Sequence, residues 1–338
     1  MEIWAKAPMR VGLAGGATDL PSYSNVYGGS VINATITKYV HVRIIMSEDD
    51  TVSFRSYDTN EFVKYQVGHL PLDNMPLFCA SYNHMCDMSG NNFPSIQIEC
   101  FSDSPVGSGL GTSSTLCVSL IASLSNLFEI KMTPMDIADT AYFVEREICG
   151  FSGGKQDQYA ASFGGFNEIS IDKNGKVNVE KLEISRNFIS ELETHMLLYF
   201  SGKSRFSSKI IDDQENNVID LKLSTTKELH NIKKEVPILR KSIENRDIIS
   251  FSESISRSWE CKKMTSPLVT NQNLNTIIKD VIELGAISAK VSGAGGGGFI
   301  MFILPLDKRS IVIKSLDIDD HYIHSCVFEP SGVLSWRR

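Results

Sequence analysis

The chain has 338 residues, 42% hydrophobic and 22% charged, with a net charge of −7 and a pI near 5.6. That is an ordinary globular composition, long enough for two domains, and its acidic balance argues against a protein built mainly to grip nucleic acid. No apolar run approaches the ~20 residues that span a bilayer, and the opening MEIWAKAPMRVGLAGG lacks a basic head followed by an apolar core, so a cytoplasmic chain with no membrane partner is expected.

The first stretch reads as strands. Ser30–Met46 is rich in β-branched residues, and so is TVSFRSYD after the turn at Asp49–Asp50. MPLFCASYNHMCDM predicts a helix whose Met and aromatic side chains pack a core. In PSIQIECFS, residues Ile96, Ile98 and Cys100 alternate onto one face of a half-buried strand. A glycine loop follows, then a helix with Leu116, Leu120, Leu124 and Leu127 in one apolar stripe. A second helix starts at TPMD, with Thr133 as cap, Pro134 in the first turn and Asp136 at the reciprocal position. Ile137, Ala141, Val144 and Ile148 form its buried face, and Gly150 ends it.

Further on, GGFNEISIDKNGKVNVEKLEIS predicts a hairpin turning at Asn174–Gly175. The pattern restarts near His195 with the strand HMLLYF. A polar helical region to about Asn245, a helix ending at Gly285, and a strand–glycine loop–strand in AKVSGAGGGGFIMFILP complete the order. The restart divides the chain into residues 1–190 and 191–338. The seven cysteines form no C-x-x-C pair, which predicts reduced, buried thiols. His321 and His324 form the one H-x-x-H pair, read as incidental, so no histidine metal site is expected.

The informative loop is SPVGSGLGTSSTL, Ser104–Leu116. A loop between a strand and a helix N-terminus gathers unpaired N–H groups and the positive end of the helix dipole. Glycines let that backbone approach a ligand closely, and the natural guest is a phosphate. Neither G-x-x-x-x-G-K-[ST] nor G-x-G-x-x-G is present; the spacing is G-x-G-x-G, without a lysine. Thr112, Ser113 and Ser114 follow, and one of these hydroxyls could bind the magnesium that accompanies a triphosphate. On the loop alone, a plain turn before a serine-capped helix stays open.

Three segments, in order, carry a resemblance. PVGSGLGTSS resembles the central motif of the GHMP kinases (galactokinase, homoserine, mevalonate and phosphomevalonate kinases). KAPMRVGLAGGATDL resembles their opening motif, and KVSGAGGGGF, Lys290–Phe299, their C-terminal one. GLAGGATDL, YGGSVINATI, EREICGFSGGKQDQYAASFGGFN and YFSGKSRFSSKII resemble segments of the D-glycero-D-manno-heptose 7-phosphate kinases within that superfamily. GSGLGTSS followed by QDQY is also similar to bacterial fucokinase domains. Two positions depart from the pattern: glycine is expected at Ala17 and is common at Thr112.

The resemblance implies an α+β, two-domain GHMP kinase fold. A mixed-sheet N-terminal domain would carry the phosphate loop, and the C-terminal domain would be ferredoxin-like. It implies ATP and Mg2+, and phosphorylation of the anomeric hydroxyl of D-glycero-D-manno-heptose 7-phosphate to the 1,7-bisphosphate, toward nucleotide-activated heptose for surface polysaccharide. A fucokinase-like sugar 1-kinase and a non-catalytic sugar or nucleotide sensor are the alternatives. A homo-oligomer is left open.

By that resemblance Asp157 is the base, although on sequence a helix-capping aspartate is an equal reading. Arg10 would supply fixed charge at the transferred phosphate, with Lys6 a weaker candidate. The ATP loop would be Pro105, Gly107, Ser108, Gly109, Leu110, Gly111, Thr112, Ser113 and Ser114. Ser113 and Glu145 would hold the metal; Glu147 competes on sequence but lies roughly 200° around the helix. Asp19 would accept from sugar hydroxyls, with Thr18 its neighbour, and Gly154, Gly295 and Gly296 would border the substrate. Lys203 and Arg205 in GKSRFSSK suit a phosphate already on the sugar, against the plainer reading of a solvated helix start.

Overall fold

The computed structural model describes residues 1–202, 207–219, 223–316 and 323–338. Strands β1 (Glu2–Ala14), β2 (Gly29–Met46), β3 (Thr51–Ser56), β4 (Glu61–Gln66), β5 (Ile96–Ser102), β6 (Phe166–Ile171) and β7 (Val177–Lys181) build a first sheet. Strands β8 (Met196–Phe200), β9 (Ser288–Val291), β10 (Phe299–Ile303) and β11 (Ile323–Ser325) build a second, and β12 (Leu334–Arg337) ends the chain. The helices are α1 (Pro21–Tyr27), α2 (Pro76–Met88), α3 (Thr112–Leu127), α4 (Pro134–Tyr142), α5 (Gln156–Phe163), α6 (Arg186–His195), α7 (Ser207–Ile219), α8 (Leu223–Asn245), α9 (Ile248–Lys263), α10 (Gln272–Glu283) and α11 (Leu306–Leu316).

The first sheet runs β12-β1-β2-β5-β3-β4, with β6 and β7 branching off β2. The long β2 makes this branching possible: its start pairs with β6 and its end with β5, while β1 lies along most of its length. The β3–β5 pairing is parallel and the rest antiparallel, so the sheet is mixed. The second sheet is antiparallel, in the order β11-β8-β10-β9. By chain position that is 4-1-3-2, the ferredoxin-like arrangement expected of the C-terminal half. The 190/191 division falls inside α6. The last strand, grouped on sequence with the second domain, pairs with β1 and belongs to the first sheet.

Helix α3 is buried almost all round, through Cys117, Val118, Leu120, Ile121 and Leu124. It is a central helix rather than a surface helix with one stripe. A second cluster fuses the domains, joining Met9, Val11 and Leu13 of β1 to Leu198 of β8, Leu239 of α8 and Phe299 of β10. The cleft between the sheets therefore has a packed floor.

The capping box of α4 is complete: the Thr133 side chain accepts from Asp136 N, and Asp136 accepts from Thr133 N. The helix expected to run on to Gly150 instead loosens into a π-helical turn at Phe143–Ile148. All seven cysteines are free, five of them buried. Among the described residues no helix is long and apolar enough to cross a membrane, and no group of three His, Cys, Asp or Glu residues could hold a metal ion. His321 lies outside the described residues.

Candidate active site

The loop between β5 and α3 turns on three glycines in the left-handed region: Gly107 (φ 76°), Gly109 (φ 81°) and Gly111 (φ 80°). At Gly109 a Cβ would lie 2.5 Å from the Ser292 carbonyl oxygen; at Gly293 it would lie 2.7 Å from Gly109 Cα. The first and third glycine motifs thus meet backbone to backbone, and the Ser292 hydroxyl donates to Gly109 O at 3.0 Å. The N-cap of α3 is Gly111, and among the described residues no side chain caps the helix. The serine-capped turn is therefore not what forms. The first-turn N–H groups of Thr112, Ser113 and Ser114 are left to the cleft, a cavity of about 810 Å³ between the two domains.

Arg10 in β1 and Asp157 in the first turn of α5 meet on the floor of this cleft. Arg10 Nε donates to Asp157 Oδ1 at 2.7 Å, and its Nη1 donates to Gly109 O at 2.7 Å. Only 5% of Arg10 is exposed. The guanidinium therefore ties the carboxylate to the phosphate loop with both hydrogen bonds charge-assisted.

Asp19 is 2% exposed and accepts from Gln156 N at 3.1 Å and Gln156 Nε2 at 3.2 Å. Burial, with the neighbouring negative charge of Asp157, raises its pKa. Gly154 packs on that carboxylate so closely that a Cβ would lie 2.0 Å from Asp19 Oδ2.

Glu145 is 1% exposed on the π-helical turn, while Glu147 points to solvent. Glu145 accepts from Ser113 Oγ at 2.8 Å and from Gln158 Nε2 at 2.7 Å. A buried carboxylate facing a hydroxyl at a helix N-terminus is a hard-oxygen donor set, which fits magnesium shared with a polyphosphate. The buried Gln158 Oε1 has no hydrogen-bond partner among the described residues, so this corner has acceptor capacity in reserve.

Several sequence candidates are turned away from the cleft. Thr18 is fully buried, with Oγ1 2.8 Å from both Gly15 O and Ser30 O, committed to the turn that presents Asp19. Leu110 and Ser108 are buried within the protein; their carbonyls accept from Arg10 N and Phe299 N. Pro105 is exposed outside the cleft. Gly295 and Gly296 pack against Val269, where a Gly295 Cβ would lie 2.4 Å from its carbonyl oxygen and Gly296 N donates to it at 2.6 Å. Gly293 and Ala294 face the cleft in their place. Lys6 lies over the Tyr39 ring at 4.5 Å. Lys203 and Arg205 lie outside the described residues.

The structure also gives places to residues that were assigned no role on sequence. Arg146 donates to Ser114 Oγ, Phe151 O and Ser152 O, each at 3.3 Å, and so wraps the loop before α5 around the end of α3. Lys290 Nζ donates to Gly12 O and Leu13 O at 3.0 Å, pinning β9 to β1; burial pushes its ammonium well below the ordinary lysine range. Lys262, in the last turn of α9, lines the cleft and donates to Gly293 O at 2.6 Å. Ala17 has φ 79°, a conformation that costs an ordinary L-residue about 1–2 kcal/mol, which explains the glycine expected there.

Residues 76–165 match the family of GHMP kinases N terminal domains, and residues 239–319 match GHMP kinases C terminal. The chain is 37% identical over 338 residues to the D-glycero-alpha-D-manno-heptose 7-phosphate kinase of Campylobacter jejuni, covering 99% of each. The crystal structure of a D-glycero-D-manno-heptose 1-phosphate kinase from Bacteroides thetaiotaomicron superposes with a TM-score of 0.84 at 30% identity, covering 99% of both chains. The L-fucokinase/L-fucose-1-P guanylyltransferase of Bacteroides fragilis is 23% identical over 93% of this chain and 36% of its own length.

The fold, the uncapped phosphate loop and these matches define an ATP-dependent phosphotransferase of the GHMP sugar kinase class. Within it, the chain belongs to the heptose 7-phosphate kinase family, with fucokinases and mevalonate kinases more distant.

Proposed function

We propose that the chain transfers the γ-phosphoryl group of ATP to the anomeric hydroxyl of D-glycero-D-manno-heptose 7-phosphate. The product is the 1,7-bisphosphate, made in the cytoplasm on the way to nucleotide-activated heptose for surface polysaccharide. The observation that carries the reading is the Arg10–Asp157 pair, 2.7 Å apart, in one cleft with an N-terminus of α3 that no side chain caps among the described residues.

Phosphoryl transfer asks for alignment, neutralised phosphate charge and a destination for the hydroxyl proton. The triphosphate would lie against the cleft-lining backbone of Gly107, Gly109 and Gly111 to Ser114, where the dipole of α3 favours negative charge. Arg10 faces the transferred group and stabilises the charge that builds on its oxygens. Asp157 orients the sugar hydroxyl and takes its proton. Asp19 holds neighbouring hydroxyls, its carboxylate kept in place by Gln156. Ser113 and Glu145 would hold Mg2+, which when bound supplies further charge neutralisation to the triphosphate. The heptose phosphate group belongs near the start of α7, which reaches the cleft through Ser208, Ile211 and Gln214.

The test is ADP release over a panel of free sugars and sugar phosphates. Turnover of heptose 7-phosphate well above every free hexose is expected. Activity confined to free hexoses would defeat the assignment.

A further inference from the structure

We propose that Lys262 is a further substrate-contacting residue, donating a hydrogen bond to a sugar hydroxyl that is shared with Asp19. The inference rests on the sugar kinase reading of the cleft and deepens it, because nothing in the three glycine motifs points to α9.

Lys262 is 5% exposed, and the one hydrogen-bond partner of its Nζ among the described residues is Gly293 O at 2.6 Å. An ammonium carries three donors, so two remain. It interacts electrostatically with Asp19 and Asp157, yet it forms no ion pair within 4.0 Å with either among the described residues. A buried cation and a buried carboxylate face each other here without touching, and both line the same cleft. An unpaired buried charge is costly. Burial accordingly lowers the Lys262 ammonium to about 8.

The guest that satisfies both groups at once is a hydroxyl, which donates to the carboxylate and accepts from the ammonium. A phosphate oxygen accepts only and would add no donor to Asp19 beyond those of Gln156. Gly16 lies beside the ammonium: a Cβ there would sit 3.6 Å from Lys262 Nζ, ordinary van der Waals contact. Since Asp19 comes from the first domain and Lys262 from the second, the sugar would be read by both walls of the cleft.

The decisive variant is Lys262→Met, assayed with whichever panel sugar the native enzyme turns over. Loss of one charged hydrogen bond predicts a fall of about 10- to 100-fold in kcat/KM for the sugar, with the KM for ATP changed less than about twofold. Were Lys262 only a tie between α9 and the glycine loop, the loop that abuts Gly109 would loosen. The ATP parameters would then move while the sugar KM stayed put, and that result overturns the proposal. A second measurement needs no variant: trace acetylation of the native enzyme with acetic anhydride, read at Lys262 by mass spectrometry. Sugar alone is expected to slow the labelling and ATP alone to leave it; equal labelling with and without sugar refutes the contact. A wrong choice of sugar would show separately, as a native enzyme inactive on heptose 7-phosphate.

Discussion

Gly154→Ala tests the acceptor end of the cleft with one methyl group. The new Cβ would lie 2.0 Å from Asp19 Oδ2 and 2.4 Å from its Cγ, distances that no real contact sustains. Gly154 does not have a left-handed φ, so the effect is steric rather than conformational. Asp19 must swing out and surrender the bonds from Gln156 N and Nε2, at 3.1 and 3.2 Å. Hydrogen bonds to a charged group contribute about 1.5–3 kcal/mol each, so losing both costs up to ~3–6 kcal/mol. Expressed in the transition state for phosphorylation, that is ~10²- to 10⁴-fold in kcat/KM for the sugar. A small shift of the 150–154 loop recovers part of it, so the lower end, about 100-fold, is expected. The assay is steady-state ADP release with sugar and ATP varied in turn, beside a thermal melt. The KM for ATP should hold, because the phosphate loop makes no use of Gly154. A sugar kcat/KM within about threefold of native, about 0.65 kcal/mol, would remove Asp19 from the acceptor site.

Other replacements address the remaining roles. Asp157→Asn leaves Arg10 Nε an acceptor but removes the base, so kcat should fall about 10²- to 10⁴-fold with nucleotide affinity retained, measured by titration with a fluorescent ATP analogue; near-native kcat would exclude Asp157 as base. Glu145→Gln should raise the Mg2+ concentration for half-maximal rate while leaving saturated sugar KM unchanged; an unaltered Mg2+ dependence would unseat Glu145 as ligand. Asp19→Asn should abolish most turnover yet raise the melting midpoint near neutral pH. Its carboxyl pKa is raised by burial, so the folded state binds that proton more tightly than the unfolded chain, and stability falls as pH climbs above the ordinary 3.8 through the folded value. The gain from Asn should therefore vanish in acid; a midpoint lowered at neutral pH would contradict the buried-charge cost.

What the sequence made legible was local. The capping box at Thr133–Asp136, the alternation of Ile96, Ile98 and Cys100, and the glycine spacing from Gly107 to Gly111 depend on neighbours within a few residues, and each forms as read. Glu145 could be separated from Glu147 by helical phase even though a π-helical turn carries both. Thr18 misled because its place beside Asp19 suggested a shared pocket, whereas its hydroxyl is spent on Gly15 and Ser30 to form the turn. Lys262 gave no signal, since a lysine in the last turn of a helix reads as a complement to the helix dipole. Its position opposite Asp19 exists only once α9 packs against β9 and β1.

The absence of a lysine from the phosphate loop has the same physical origin. A Walker loop carries its cation within the motif, but here the loop contributes only N–H groups and shape. Its positive charge arrives from separate elements, Arg10 from β1 and Arg146 from the π-helical turn, while Lys262 of α9 adds a cation elsewhere in the cleft. Each is anchored by a backbone carbonyl, of Gly109, Phe151 and Gly293 respectively, so their positions are set by the fold rather than by side-chain freedom. A cleft charged in this way requires both domains to be packed before it can hold a triphosphate and a sugar together. The fused core through Met9, Leu198, Leu239 and Phe299 supplies that requirement.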